Sequence, residues 1–114
     1  MSRPGIPPVI IAVAAIAFAS QAAMAGEPNA TRQRELSRLL VHECGACHGM
    51  QLRGGLGPAL TPGALKDRPS ESLVATILSG RAGTAMPPWQ RFLSEDDAQW
   101  LAAKLVEGGV DAVR

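Results

Sequence analysis

Cys44-Gly45-Ala46-Cys47-His48 is the stretch on which the reading of this chain turns. Two thiols on one helical turn, followed at once by an imidazole, form the attachment signature of c-type haem: the thiols reach the two vinyl groups of a porphyrin, and the next side chain reaches its iron. Two other readings compete. A tetrahedral zinc site needs separated ligand pairs; His42, Cys44, Cys47 and His48 are all metal-capable, but they lie on consecutive turns and the sequence has no second pair. A thioredoxin-like dithiol needs a βαβ setting, which the helical pattern below does not offer. The motif therefore predicts one covalently attached haem c, with Cys44 and Cys47 as anchors and His48 as proximal iron ligand.

Upstream of the motif, residues 1–25 read as a cleaved signal peptide. Arg3 gives a sparse positive start, Val9 to Ala19 is apolar and uncharged, and Ala23-Met24-Ala25 places small residues before Gly26. The uncharged run is shorter than the roughly 20 apolar residues that a membrane helix requires, so no stable span is expected in the mature form. Residues 26–114 are then the mature domain, 89 of the 114 residues. A domain that small has a marginal apolar core, to which a buried macrocycle would add. Export also places both thiols in an oxidising compartment, where they pair or are consumed by a cofactor.

Without Arg3 the chain carries ten cations and ten acids, which gives no case for nucleic acid as a partner. The charges are nevertheless segregated. Met50 to Arg91 holds five cations (Arg53, Lys66, Arg68, Arg81, Arg91) and two acids, whereas Phe92 to Arg114 holds five acids and two cations.

Three helices are predicted, and no strand. The first runs from about Thr31 to Cys44, capped by Asn29 or Thr31, with Leu36, Leu39, Leu40 and Glu43 along one stripe and Arg32, Arg34, Glu35 and Arg38 outward. Met50 to Lys66, rich in Gly and Pro, reads as loop. A second helix spans Pro69 to Leu78 and stops at Gly80. The third is capped by Ser94, with Asp97 completing a capping-box pair and Ala98, Leu101 and Leu105 on one face before Gly108.

A sixth iron ligand must come from beyond the ring edge, and Met or His is expected. Met24 leaves with the leader, Met50 is tethered to the proximal side, and His42 precedes the motif, which leaves Met86 in Gly83-Thr84-Ala85-Met86-Pro87-Pro88-Trp89. A lone methionine is commonly core filler; its place between two helices, in a loop stiffened by two prolines, favours ligation. The Nδ1 of His48 also needs an acceptor. The carbonyl of Pro58 can serve, or Gly57-Pro58-Ala59-Leu60 can be an ordinary turn. Trp100 reads as a core residue against the first helix and the porphyrin edge, and Trp89 as a shield for the haem. Arg53 and Arg81 could pair with propionates or be solvated.

This arrangement resembles class I c-type cytochromes: the motif near the end of the first helix, Gly57-Pro58-Ala59-Leu60 ten residues past the ligand, Met86 in a Pro-rich loop and Trp100-Leu101 in the last helix. Cys47-His48-Gly49, Gly54 to Pro62 and Gly80 to Trp89 are, more narrowly, similar to cytochrome c55X, the small periplasmic cytochrome encoded beside cytochrome cd1 nitrite reductase in denitrifying bacteria. The resemblance implies an all-α fold around one haem and the acceptor role for Pro58. It also implies a periplasmic one-electron carrier rather than an enzyme, with cytochrome cd1 nitrite reductase as redox partner. Two alternatives are a part in d1 haem maturation or insertion, and a haem-based ligand sensor, which would need a labile Met86.

Overall fold

The computed structural model describes residues 1–5 and 26–114, so the leader expected over 1–25 lies, from residue 6 onward, outside the described residues. Asn29 starts the first helix, α1 (Ala30–Leu39), by accepting the Arg32 N–H at 2.9 Å. The helix does not end at Cys44. It widens into a π turn over Leu40–Cys44 and returns to α-helical geometry in α2 (Gly45–His48), with the Gly45 N–H reaching the Leu40 carbonyl five residues back. Such a turn admits one extra residue, so the motif is rotated relative to the stripe above it. Leu36 and Leu40 therefore stay fully buried while the motif takes its own orientation.

The Gly- and Pro-rich stretch, expected to be loop throughout, contains one helical turn, α3 (Pro62–Leu65). Thr61 accepts the Ala64 N–H at 3.3 Å, Pro62 supplies a preset φ for the first turn, and Leu65 is buried. The next helix, α4 (Ser70–Ser79), begins after Pro69, which takes the capping position rather than the first turn. The last, α5 (Glu95–Glu107), has the full capping box: Ser94 Oγ accepts the Asp97 N–H, and the Asp97 carboxylate accepts the Ser94 N–H, both at 3.1 Å. A 3₁₀ turn, Gly109–Ala112, closes the chain.

Among the described residues there is no strand, and the fold is all-α as expected. Helix α5 lies against α4 and α3, and the π turn meets the closing 3₁₀ turn. Leu36 and Leu40 pack with Leu73, Val74, Ala98, Leu101 and Leu105 in one core. Among the described residues no helix is long and apolar enough to cross a membrane.

One sequence expectation is reversed. Arg32 does not point outward: its Nη2 donates to Asp97 Oδ2 and to the Phe92 carbonyl, each at 2.8 Å, and its Nε reaches the same carboxylate at 3.2 Å. The Asp97 partner is buried, with 7% of its surface exposed, and lies 65 residues away in the chain. The guanidinium keeps that carboxyl below its ordinary range, with burial opposing and the Ser94 N–H assisting.

Candidate functional site

The motif, the Gly-Pro stretch and the Met86 loop all converge on one cleft of about 520 Å³, a size typical of ligand sites. Cys44, Cys47 and His48 form one wall, with Pro58 and Leu60 beside them. Ile77, Met86 and Trp89 line it from the α4 side, and Leu101 and Leu105 from α5. The five residues expected to anchor, ligate or orient the haem (Cys44, Cys47, His48, Pro58 and Met86) thus border the same space.

The orientation of His48 follows from backbone. Its Nδ1 lies 2.7 Å from the Pro58 carbonyl oxygen, so that nitrogen donates and Nε2 is left free. The stretch carrying Pro58 is itself pinned to the motif: Gly57 N–H donates to the Cys47 carbonyl and Gly54 N–H to the His48 carbonyl, each at 2.8 Å. Gly57 rests directly on the imidazole, where a Cβ would come within 2.7 Å of His48 Cε1 and 2.8 Å of Nδ1. Only glycine allows that approach.

Met86, half-buried, is held by a short circuit of bonds. Thr84 Oγ1 donates to the Arg81 carbonyl at 2.7 Å and accepts the Met86 N–H at 3.3 Å, while the Arg81 N–H reaches the Met86 carbonyl at 3.3 Å. Gly80, at φ 65°, lies against the same strand of backbone, and a Cβ there would meet the Met86 oxygen at 2.6 Å. Beyond the two prolines, the Trp89 and Gln90 N–H groups donate to the Ile77 and Leu78 carbonyls at 3.2 and 3.1 Å. The loop is therefore closed on itself before Met86 and docked on the end of α4 after it.

These features fit a haem. The walls are mostly apolar, the Nε2 of the cleft-lining His48 is not used by the Pro58 bond, and Met86 brings a thioether to the same space. Burial raises the Cys44 thiol to about 11, which makes a free thiolate there costly. A thioether has no ionised form and suffers no such penalty.

The periphery differs from expectation in three places. Arg81 lines the cleft, but Arg53 borders a separate, smaller pocket of about 140 Å³ with Asp111. Arg68, exposed at the cleft, was not singled out in the sequence; its place two residues after Lys66 in a charged loop gave no signal for it. Trp100 is buried but does not line the cleft; Lys104 Nζ sits 5.4 Å from its ring, and Leu101 and Leu105 face the haem space instead.

Comparison with known proteins agrees with this geometry. The family model described as "Cytochrome C oxidase, cbb3-type, subunit III" matches residues 31–103. A cytochrome c55X of Pseudomonas aeruginosa is 60% identical over 83 residues, covering 73% of this chain and 70% of its own length. Among solved structures, a c-type cytochrome NirC superposes with a TM-score of 0.71 at 59% identity, over 73% of this chain and 98% of that one. A dihydro-haem d1 dehydrogenase NirN, in complex with DHE, superposes with a TM-score of 0.58 at 32% identity, over 64% of this chain but only 16% of that one. Together with the class I all-α architecture, these likenesses show that the chain belongs to the cytochrome c55X family of electron-transfer proteins, which carry covalently bound haem c.

Proposed function

We propose that this protein is a periplasmic one-electron carrier closed on both sides of its iron. In this reading Cys44 and Cys47 form the thioethers, His48 is the proximal ligand and Met86 the distal one. The observation that supports it most is the hold on the Met86 loop, cross-bonded within itself through Thr84 and Arg81 and docked on α4 through the Ile77 and Leu78 carbonyls. A sulfur held that way closes the position that a substrate or a sensed gas would need, which argues against the sensor reading. When bound, the haem supplies reversible one-electron exchange between ferric and ferrous iron. The chain keeps the cleft apolar, fixes the His48 ring through Pro58, and presents the cleft mouth to a partner. Residues 1–25 act in this account as the export signal, removed before Gly26.

The mouth has a character suited to docking. Leu56, which lines it, is 92% exposed, and the exposed Arg68 and Arg81 line the same cleft. An apolar spot at a cleft that carries two exposed cations against one acid, Glu43, fits an acidic docking site, with charge setting the encounter rate. Cytochrome cd1 nitrite reductase is the proposed acceptor. Stopped-flow mixing of the ferrous protein with that enzyme tests this: rapid oxidation of the cytochrome, slowing as salt is raised, is expected, and slow transfer indifferent to salt would exclude it.

A second reading, a part in d1 haem maturation, draws support from the likeness to a stretch of a dihydro-haem d1 dehydrogenase. There the same closed carrier would exchange electrons with a maturation enzyme instead. A deletion strain separates the two: loss of d1 haem from an otherwise assembled reductase favours maturation, whereas normal d1 content with slowed nitrite reduction favours the carrier.

A further inference from the structure

We propose that Arg32 is a positioning residue for Met86, joining the helix that leads into the haem motif to the trailing end of the Met86 loop. The inference rests on Met86 being the distal ligand. After Met86 the chain passes through Pro87 and Pro88, whose φ angles are locked, and folds into a tight turn: the Phe92 and Leu93 N–H groups donate to the Trp89 carbonyl at 2.9 and 3.0 Å. Leu93 is buried, and Trp89 packs edge-on against Phe92 with ring centroids 6.1 Å apart. The turn is thus a rigid extension of the loop. Its Phe92 carbonyl receives the Arg32 Nη2 at 2.8 Å.

The same guanidinium grips Asp97 Oδ2 through Nε and Nη2, and that oxygen also holds the Ser94 N–H at 3.1 Å. One planar fork therefore fixes α1, the loop's last turn and the start of α5 against each other. The remaining bonds to the Met86 loop come from α4 or from within the loop itself. Arg32 is what ties the loop to α1, and through the π turn to Cys44, Cys47 and His48. Losing it removes the hydrogen-bonded tie to α1 and leaves the bonds to α4, the Ser94 cap and the packing of buried Leu93, so the sulfur's excursions away from the cleft become more frequent.

An incoming ligand reports those excursions, because imidazole binds ferric iron only after the methionine sulfur has left. The test uses the haem-loaded protein, with the limiting rate of imidazole binding as the readout. Arg32→Ala is expected to raise that rate about tenfold, the effect of losing a charged hydrogen bond. Arg32→Lys keeps the charge without the planar fork, and is expected to raise it by a smaller factor. Ala102→Gly, buried on α5 and part of neither the clamp nor the cleft lining, lowers global stability through helix propensity. It is expected to stay near the wild-type rate. Wild-type imidazole kinetics in both Arg32 variants, or equal acceleration in Ala102→Gly at matched stability, would overturn the proposal. A wild-type ferric protein with no methionine-to-iron charge-transfer band would instead remove Met86 as ligand, and the proposal with it.

Discussion

The Nδ1 of His48 lies 2.7 Å from the carbonyl oxygen of Pro58, and Gly57 closes over the face of the same ring. The ring is thereby held by two consecutive residues that have no side chain or no N–H to compete. Gly57→Ala puts a Cβ 2.7 Å from His48 Cε1, backbone against ring, with no flexible end to give way. The expected result is a stability loss of about 1–3 kcal/mol and a shifted reduction potential. Denaturant titration and redox titration of the haem-loaded variant measure both; an unchanged pair of values would mean that the ring is not held this way.

Gly80→Ala acts on the opposite wall. Its φ of 65° disfavours alanine, and the added Cβ would meet the Met86 oxygen at 2.6 Å. With ψ at −164° the backbone lies in a region essentially confined to glycine, which costs another residue about 1–3 kcal/mol, and the contact adds to it. Because the clash falls on the Met86 backbone, the methionine-to-iron band should weaken at temperatures where the protein remains folded by far-ultraviolet circular dichroism. Simultaneous loss of band and helix on heating would count against a local effect.

Acid should act through Asp97. Its carboxyl is held below the ordinary 3.8, first by the Arg32 hydrogen bond and with help from the Ser94 N–H. A lowered folded-state value means that the carboxylate's contribution is fully present above the unfolded-state value of about 3.9, and is lost as pH falls through the folded one. Asp97→Asn should be less stable than wild type by about 1–3 kcal/mol at pH 7, with the gap narrowing below pH 4. Denaturant midpoints measured from pH 7 to pH 2.5 decide it: parallel curves would deny the linkage.

Charge at the cleft mouth should govern encounter rather than the electron-transfer step. Arg68→Gln with Arg81→Gln removes two cations that line the same cleft as the exposed Leu56. The second-order rate with an acidic redox partner should fall about tenfold at low ionic strength and converge on the wild-type rate at high salt. A deficit that persists at high salt would indicate a contact role instead.

Much of the site was legible because its chemistry is local. The Cys-His motif, the Met-Pro-Pro loop and the Gly-Pro turn each announce themselves within a few residues, and the capping box of α5 needs only Ser94 and Asp97. What escaped the sequence depended on distance or on subtle pitch. Arg32 looked solvent-facing on its own helix, since nothing local reveals a carboxylate 65 residues away. The π turn at Leu40–Cys44 shifts the pattern by a single residue, too little to separate from an α-helical stripe. Helix α3 hid in a Gly- and Pro-rich stretch, although Thr61 followed by Pro62 is a helix-start signal. Trp100 is in the core as its helical position suggested, but that it lies outside the cleft lining, which Leu101 and Leu105 supply, needed the packing of α5.

The central claim is that Met86 closes the distal side of the iron, and one spectrum tests it most directly. The oxidised wild-type protein should show a methionine-to-iron charge-transfer band at neutral pH. Met86→Ala should abolish that band and lower the potential by about 0.1 V or more, a fraction of the roughly 0.8 V that axial ligation commands. A wild-type protein without the band, or a Met86→Ala variant whose spectrum and potential are unchanged, would contradict the account.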